Sequence, residues 1–311
     1  MKSLTLKAAV LAALSLTAVQ ASAAGFVTLP TSGTTPYVQC RVTGNFGSQS
    51  DTTVPPTTDS ACAATPGVGS TLNLNTTPES GFTLATSNTS SVTAFAETLA
   101  TLNERVFKNG ATPTACIYAK QLVMSSTTTH DYNPQFPPAN PTAVQAMEVN
   151  DYAFGGYTGA VSAAYAKSGA NNSSVYRIGR TFTSVQMQAN PSSPGSPASG
   201  YVVLPTAGGT SGTEINGVGQ TLTLPGSPSA AQQQAPFSAN WVDFTSDVSG
   251  TADEDGAPNV GSSNMYIKQA CSATTTTSVA NSLKIRQTGQ ETQPWVIVTA
   301  TSLAPSTTIT P

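Results

Sequence analysis

The chain repeats itself. Gly25 to Gly33 reads GFVTLPTSG and Gly200 to Gly208 reads GYVVLPTAG. Gly67 to Pro78 reads GVGSTLNLNTTP and Gly217 to Pro228 reads GVGQTLTLPGSP. Tyr118 to Thr129 reads YAKQLVMSSTTT and Tyr266 to Thr277 reads YIKQACSATTTT. The three pairs keep their order, the mark of an internal tandem duplication. Thr- and Ser-rich chains match themselves by composition alone, so the TTT match weighs little. The GxVxLPTxG and GVGxTLxL matches are not low-complexity and carry the argument.

A restart needs a boundary, and Asn190 to Gly200 supplies one. Its three prolines, two glycines and four serines support neither a helix nor a central strand. The expected plan is a first domain over 24–189, a linker over 190–199 and a second domain over 200–311. Residues 1–23 read as a signal peptide. Lys2 and Lys7 precede an apolar stretch from Ala8 to Val19, and Ala21-Ser22-Ala23 is a small-x-small cleavage site.

The repeated blocks have strand periodicity. Phe26 to Leu29 and Tyr201 to Leu204 are short apolar runs stopped by Pro30 and Pro205. Thr71 to Leu74 and Thr221 to Leu224 alternate polar and apolar, as half-buried strands do. Phe182 to Met187 and Trp295 to Ala300 predict closing strands. Short strands with Gly/Pro punctuation make the chain mainly β, as two tandem, internally duplicated β-sandwich domains. One helix is expected over about 91–109. Val92, Phe95, Leu99, Leu102 and Val106 fall on one helical face there, with Ser90 or Ser91 as cap and Gly110 as stop. Two segments of the first domain have no counterpart in the second: Thr34 to Pro66, and Asp131 to Ser173.

Charge narrows the partners. Only 9% of residues are charged, against about a quarter in ordinary globular chains. Without the signal, 10 basic residues (12 less Lys2 and Lys7) face 15 acids, a net of −5. Nucleic acid and anionic membranes both call for clustered Lys and Arg, so neither is an expected partner. Thr, Ser and Asn fill the polar positions, as in exported β-rich surface proteins; hydrophobic content of 38% argues against a wholly disordered chain.

Four cysteines in an exported chain predict disulfides, and sequence allows three pairings. Cys40 with Cys62 closes a short loop in one insert. That leaves Cys116 and Cys271, either bonded to each other, which requires their Tyr-x-Lys-Gln strands to lie close, or as two free thiols.

Catalytic motifs are thin. His130 is the single histidine, followed by Asp131, and a triad needs more than that. Glu97, Glu104, Glu148, Asp151, Asp243 and Asp247 are candidate carboxylates for glycoside hydrolysis. Glu97 and Asp243 each follow an aromatic (Phe95, Trp241) by two residues. The acidic stretch from Asp243 to Asp255 makes Asp253, Asp255 and Asn259 candidate Ca²⁺ ligands, with Gly256 for the turn; the spacing is not that of an EF-hand loop, and a solvated acidic loop is the plainer reading. No other cofactor is implied.

The first reading is an exported, non-enzymatic surface, adhesion or extracellular-assembly protein, secreted to the periplasm, cell surface or medium. The Ala-rich signal has a bacterial cast. Its partners would be itself or cell-surface components. The alternative is a secreted glycan-binding module or glycan-active enzyme, using Tyr152, Phe154, Tyr157 and Trp241 as aromatic contacts.

Overall fold

Thr, Val, Ile and Tyr suit a pleated, half-buried surface, and the chain uses them as strands throughout. In a computed structural model the described residues are 25–33, 36–40, 62–64, 71–133, 144–168, 175–182, 187–189, 201–203, 237–252, 258–272, 276–288 and 295–310. The signal at 1–23, the linker at 190–199, and the repeats at 204–208 and 217–228 lie outside them. Among the described residues no helix occurs, so none is long and apolar enough to cross a membrane.

The strands are β1 (Val27–Thr28), β2 (Tyr37–Gln39), β3 (Thr83–Ala94), β4 (Glu97–Lys108), β5 (Ala115–Met124), β6 (Glu148–Gly155) and β7 (Val161–Ala166). They continue with β8 (Arg177–Gly179), β9 (Met187–Ala189), β10 (Tyr201–Val203), β11 (Trp241–Ser249), β12 (Asn264–Ala270), β13 (Thr277–Thr288) and β14 (Trp295–Ala304). Two six-stranded antiparallel sheets result. One runs β1-β7-β12-β5-β4-β3, the other β14-β13-β6-β11-β8-β2, and β9 and β10 form a separate pair.

Strands from both sides of residues 190–199 alternate within both sheets. β12 lies between β7 and β5, and β6 lies between β11 and β13. The two segments are therefore interleaved in the described strands, not set side by side as tandem units. The unmatched stretch read as an insert supplies β6 and β7, which are central strands. The YAKQ and YIKQ blocks are neighbours in one sheet, with Tyr118 opposite Ile267 and Ala119 opposite Tyr266.

The helix expected over 91–109 is a hairpin of β3 and β4. A spacing of four residues fits a 3.6-residue period and a 2-residue period alike, so Leu102 and Val106 do not discriminate. The strand period is completed by Glu104, fully buried between them on the inward face. Its charge disguised that period as a helical gap.

One core cluster draws on both sheets, with Val92, Leu102, Tyr118, Met265 and Ile267 from one and Tyr152, Phe154, Phe244, Leu283 and Ile285 from the other. Leu72, Leu74 and Phe82 cover the far face of the first sheet against Phe107 and Tyr266. Leu72 and Leu74 are buried while Thr71 and Asn73 are exposed, the alternation their sequence predicts, but the strand expected over 71–74 is an isolated bridge at Thr71 followed by a turn at Leu74. Gly156 (φ 89°) turns the chain after β6; a Cβ there would stand 2.7 Å from the Ser306 carbonyl.

Two disulfides clamp the fold: Cys40–Cys62 and Cys116–Cys271. The second staples β5 to the end of β12, whose Gln269 faces Cys116. Both suit an oxidising compartment. The bonded pairs are separated by 22 and 155 residues. A chain-entropy model makes the longer closure worth about 5 kcal/mol and the shorter about 3. Urea denaturation should therefore show a larger loss for Cys116→Ala/Cys271→Ala than for Cys40→Ala/Cys62→Ala.

Candidate functional site

The aromatics proposed as ligand contacts are packing residues. Tyr152, Phe154 and Tyr157 are fully buried and Trp241 nearly so. Phe154 meets Phe244 edge-on at 6.1 Å, and Tyr157 meets Tyr118 likewise at 5.4 Å. The Trp241 indole donates to the Thr310 carbonyl (2.7 Å), while Lys284 lies over its ring. The apolar run that made these residues look like an added site is the inside of a central strand. Of the Ca²⁺ candidates, Asp253 and Asp255 lie outside the described residues. Asn259 donates to the Asp247 carbonyl (2.9 Å) and pairs with Ser249 through its backbone, so it closes the base of the acidic loop.

The candidate carboxylates Glu97, Glu104, Glu148, Asp151 and Asp243 are spent in four places. Glu104 accepts from Lys120 Nζ, Ser302 Oγ (2.8 Å), the Leu303 amide (2.8 Å) and Asn88 Nδ2 (3.0 Å). Burial pushes its carboxyl up, but the Lys120 charge and these donors outweigh it and hold it below its usual range. Burial pulls the Lys120 ammonium down, and Glu104 restores part of that. Asp151 and Asp243, on neighbouring strands, share the fully buried guanidinium of Arg286. Glu148 accepts from Asn150 (2.6 Å). Glu97 and Asp243, matched in sequence by their aromatic neighbours, sit in different clusters.

Glu97 belongs to the most unusual part of the surface, the β3–β4 turn. Ala94 pairs with Glu97, so Phe95 and Ala96 alone make the turn, at φ of 51° and 65°. Two-residue hairpin turns with both residues left-handed ordinarily use Asn and Gly. Side chains there cost about 1–2 kcal/mol each. Two interactions hold the strained turn. The Phe95 ring stacks parallel on His130 with centroids 4.0 Å apart, and Tyr132 meets both rings edge-on. The Glu97 carboxylate accepts five bonds: from the amides of Thr129 (2.6 Å) and His130 (3.4 Å), and from the hydroxyls of Thr128 (2.7 Å), Thr129 (2.9 Å) and Tyr132 (3.2 Å). Burial is the largest single influence and raises the Glu97 pKa, but the Thr129, Thr128 and His130 donors together outweigh it and leave it at about 2. Burial, then the Glu97 charge, push the Tyr132 phenol up.

Phe95 remains 45% exposed, among the few large apolar side chains so placed. The turn thus presents one aromatic face, backed by the histidine and locked by a carboxylate. Strain at non-glycine residues concentrates at sites of contact and function, which makes this tip the candidate site. Sequence reasoning assigned Phe95 to a helix face, since no local motif announces a Phe-Ala turn. No family model, curated protein or solved structure matches the chain.

Ala96→Gly should remove left-handed strain and stabilise the protein by about 1 kcal/mol in urea denaturation. Glu97 has a folded pKa of about 2, below an unfolded value of about 4.3. Its contribution is therefore complete above about pH 4.3 and fades as the pH falls toward 2. Glu97→Gln should cost stability at pH 6, and the gap to wild type should close over that acid range.

Proposed function

We propose that the chain is an exported, non-enzymatic component of a cell surface or extracellular assembly. One observation carries this reading: among the described residues, Glu97, Glu104, Asp151 and Asp243, four of the carboxylates that acid–base chemistry would use, are consumed in holding the fold. Glu104 ties Lys120 and Leu303, Asp151 and Asp243 tie Arg286, and Glu97 ties the hairpin turn. The outward residues are hydroxyls and amides, as in β3, whose exposed positions include Ser87, Thr89 and Ser91. The signal-like first residues and the disulfides suit export. Labelled mature protein, purified with its disulfides intact, should self-associate or bind the surface of the cells that produce it. Protein that stays monomeric and leaves those cells unlabelled would sink the proposal.

The exposed Phe95 ring favours a second reading, a glycan contact at the hairpin tip. A flat apolar ring face, fixed by the His130 stack, suits the apolar face of a pyranose. The aromatic contact expected of Tyr152, Phe154, Tyr157 and Trp241 moves here to Phe95. A glycan array on which wild type and Phe95→Ala give the same pattern would remove this reading.

A further inference from the structure

The four edges of the two sheets are unequal. The first sheet ends in β1, of 2 residues, and β3, of 12; the second ends in β2, of 3, and β14, of 10. Short edges are poor templates for another strand, while long ones are ordinarily guarded by charge, proline or a bulge. β3 reads TLATSNTSSVTA, without charge or proline, and its two register irregularities, at Leu84/Thr86 and Val92/Thr93, leave only the stretch between them regular. The charges stand one strand inward, on β4, as Glu97, Glu104, Arg105 and Lys108.

The two long edges also differ. On β14 the Leu303 amide donates to Glu104 and the Leu303 carbonyl accepts from Lys120, so inward charges of the first sheet cap it. Among the described residues β3 has a ladder partner, β4, on one side only, and β14 of the other sheet approaches it without pairing. Of its carbonyls, that of Asn88 accepts Arg105 Nη1 at 3.2 Å. Irregularities at Leu84/Thr86 and Val92/Thr93 bound an unbroken ladder from Thr86 to Val92, opposite Val106 to Ala100.

We infer that the outer edge of β3 pairs antiparallel with β3 of a second copy, over Thr86 to Val92 about a two-fold axis near Thr89. This rests on the assembly reading and names its partner. The two-fold sets Ser87 opposite Ser91, Asn88 opposite Ser90 and Thr89 opposite itself. Every opposed pair is uncharged, and Thr/Ser pairs across strands are favourable. A two-fold contact uses the same patch on both copies, and this segment is chemically matched to its own reverse. A foreign peptide adding to an edge is selected by pockets for alternate side chains. The exposed side of this segment carries only the short Ser87, Thr89 and Ser91 side chains. Seven residues of ladder are a small interface, so the association is concentration-dependent rather than permanent.

Sedimentation velocity of the mature, disulfide-bonded protein over a concentration series tests this. Wild type should show a monomer–dimer equilibrium, and Thr89→Lys should weaken it about tenfold or more with thermal stability unchanged. In a second arm, Thr89→Cys should form a disulfide-linked dimer on mild oxidation, whereas Thr28→Cys, on the short β1 edge, should not. Self-association that survives Thr89→Lys without cross-linking at residue 89 would overturn the inference and leave the assembly reading standing. A strictly monomeric protein that still binds cells would also overturn it, and spare the surface reading. A monomer that binds nothing would end both.

Discussion

The structure depends on a buried ion pair that does the work of a strand contact. Glu104 and Lys120 are opposite one another on β4 and β5, at 0% exposure in a core of Leu, Val, Tyr and Phe. An isolated charge there would be too costly to keep. It is kept because each group is saturated. Lys120 Nζ donates to Glu104, Ser302 Oγ and the Leu303 carbonyl, and Glu104 accepts from Lys120, Ser302, Leu303 and Asn88. The pair reaches across the core and binds both backbone groups of Leu303 on β14. It joins the sheets through hydrogen bonds that no apolar side chain could make. Breaking such a pair from one side costs about 3–5 kcal/mol, because the partner charge is then stranded.

The same device recurs on the other face of the second sheet. Arg286 on β13 draws in Asp151 from β6, Asp243 from β11 and the Phe182 carbonyl. Arg180 gathers the carbonyls of Tyr157 (3.0 Å) and Ala239 (2.6 Å), and burial holds its pKa down at about 10. Each cation spans the segments on either side of residues 190–199. With Cys116–Cys271 and the shared sheets, they make the two segments interdependent. A mixed strand order needs such ties, because long-range pairing repays its loop-closure entropy only once distant strands have met.

This explains what could be read from the sequence and what could not. The strands at Val27, Tyr118, Tyr201, Tyr266 and Trp295 were legible, because β-branched and aromatic runs bounded by Gly and Pro have few other uses. The Cys116–Cys271 bond was one of two readings left open by the sequence, and the condition it required holds, since the matching Tyr-x-Lys-Gln blocks lie side by side. Strand order was illegible, since periodicity reports which face is buried and not which strand lies beside it. Glu104 misled as an apparent break in a strand period, because a charged residue is not expected on an inward face. Tyr152, Phe154 and Tyr157 misled because an aromatic run reads the same in a core strand as in a binding site. Phe95, the aromatic that is exposed, was hidden by a turn whose residues contradict the usual Asn-Gly signature.

Core and surface are then two sides of one allocation of charge. The chain has 12 basic and 15 acidic residues. Among the described residues, Glu104, Lys120, Glu148, Asp151, Arg177, Arg180, Asp243 and Arg286 are buried. A chain with few charges that places so many inside leaves little repulsion outside. Usual practice puts charge on edge strands and apolar groups within; here β4 and β13 carry charge while the edges β3 and β14 carry none. On β14 the inward charges cap the edge they approach. On β3 they meet one residue, Asn88, whose side chain donates to Glu104 and whose carbonyl accepts from Arg105. The interactions that close the fold therefore leave one long edge without a second ladder partner among the described strands, and its outward hydroxyls carry no charge to repel a copy of themselves.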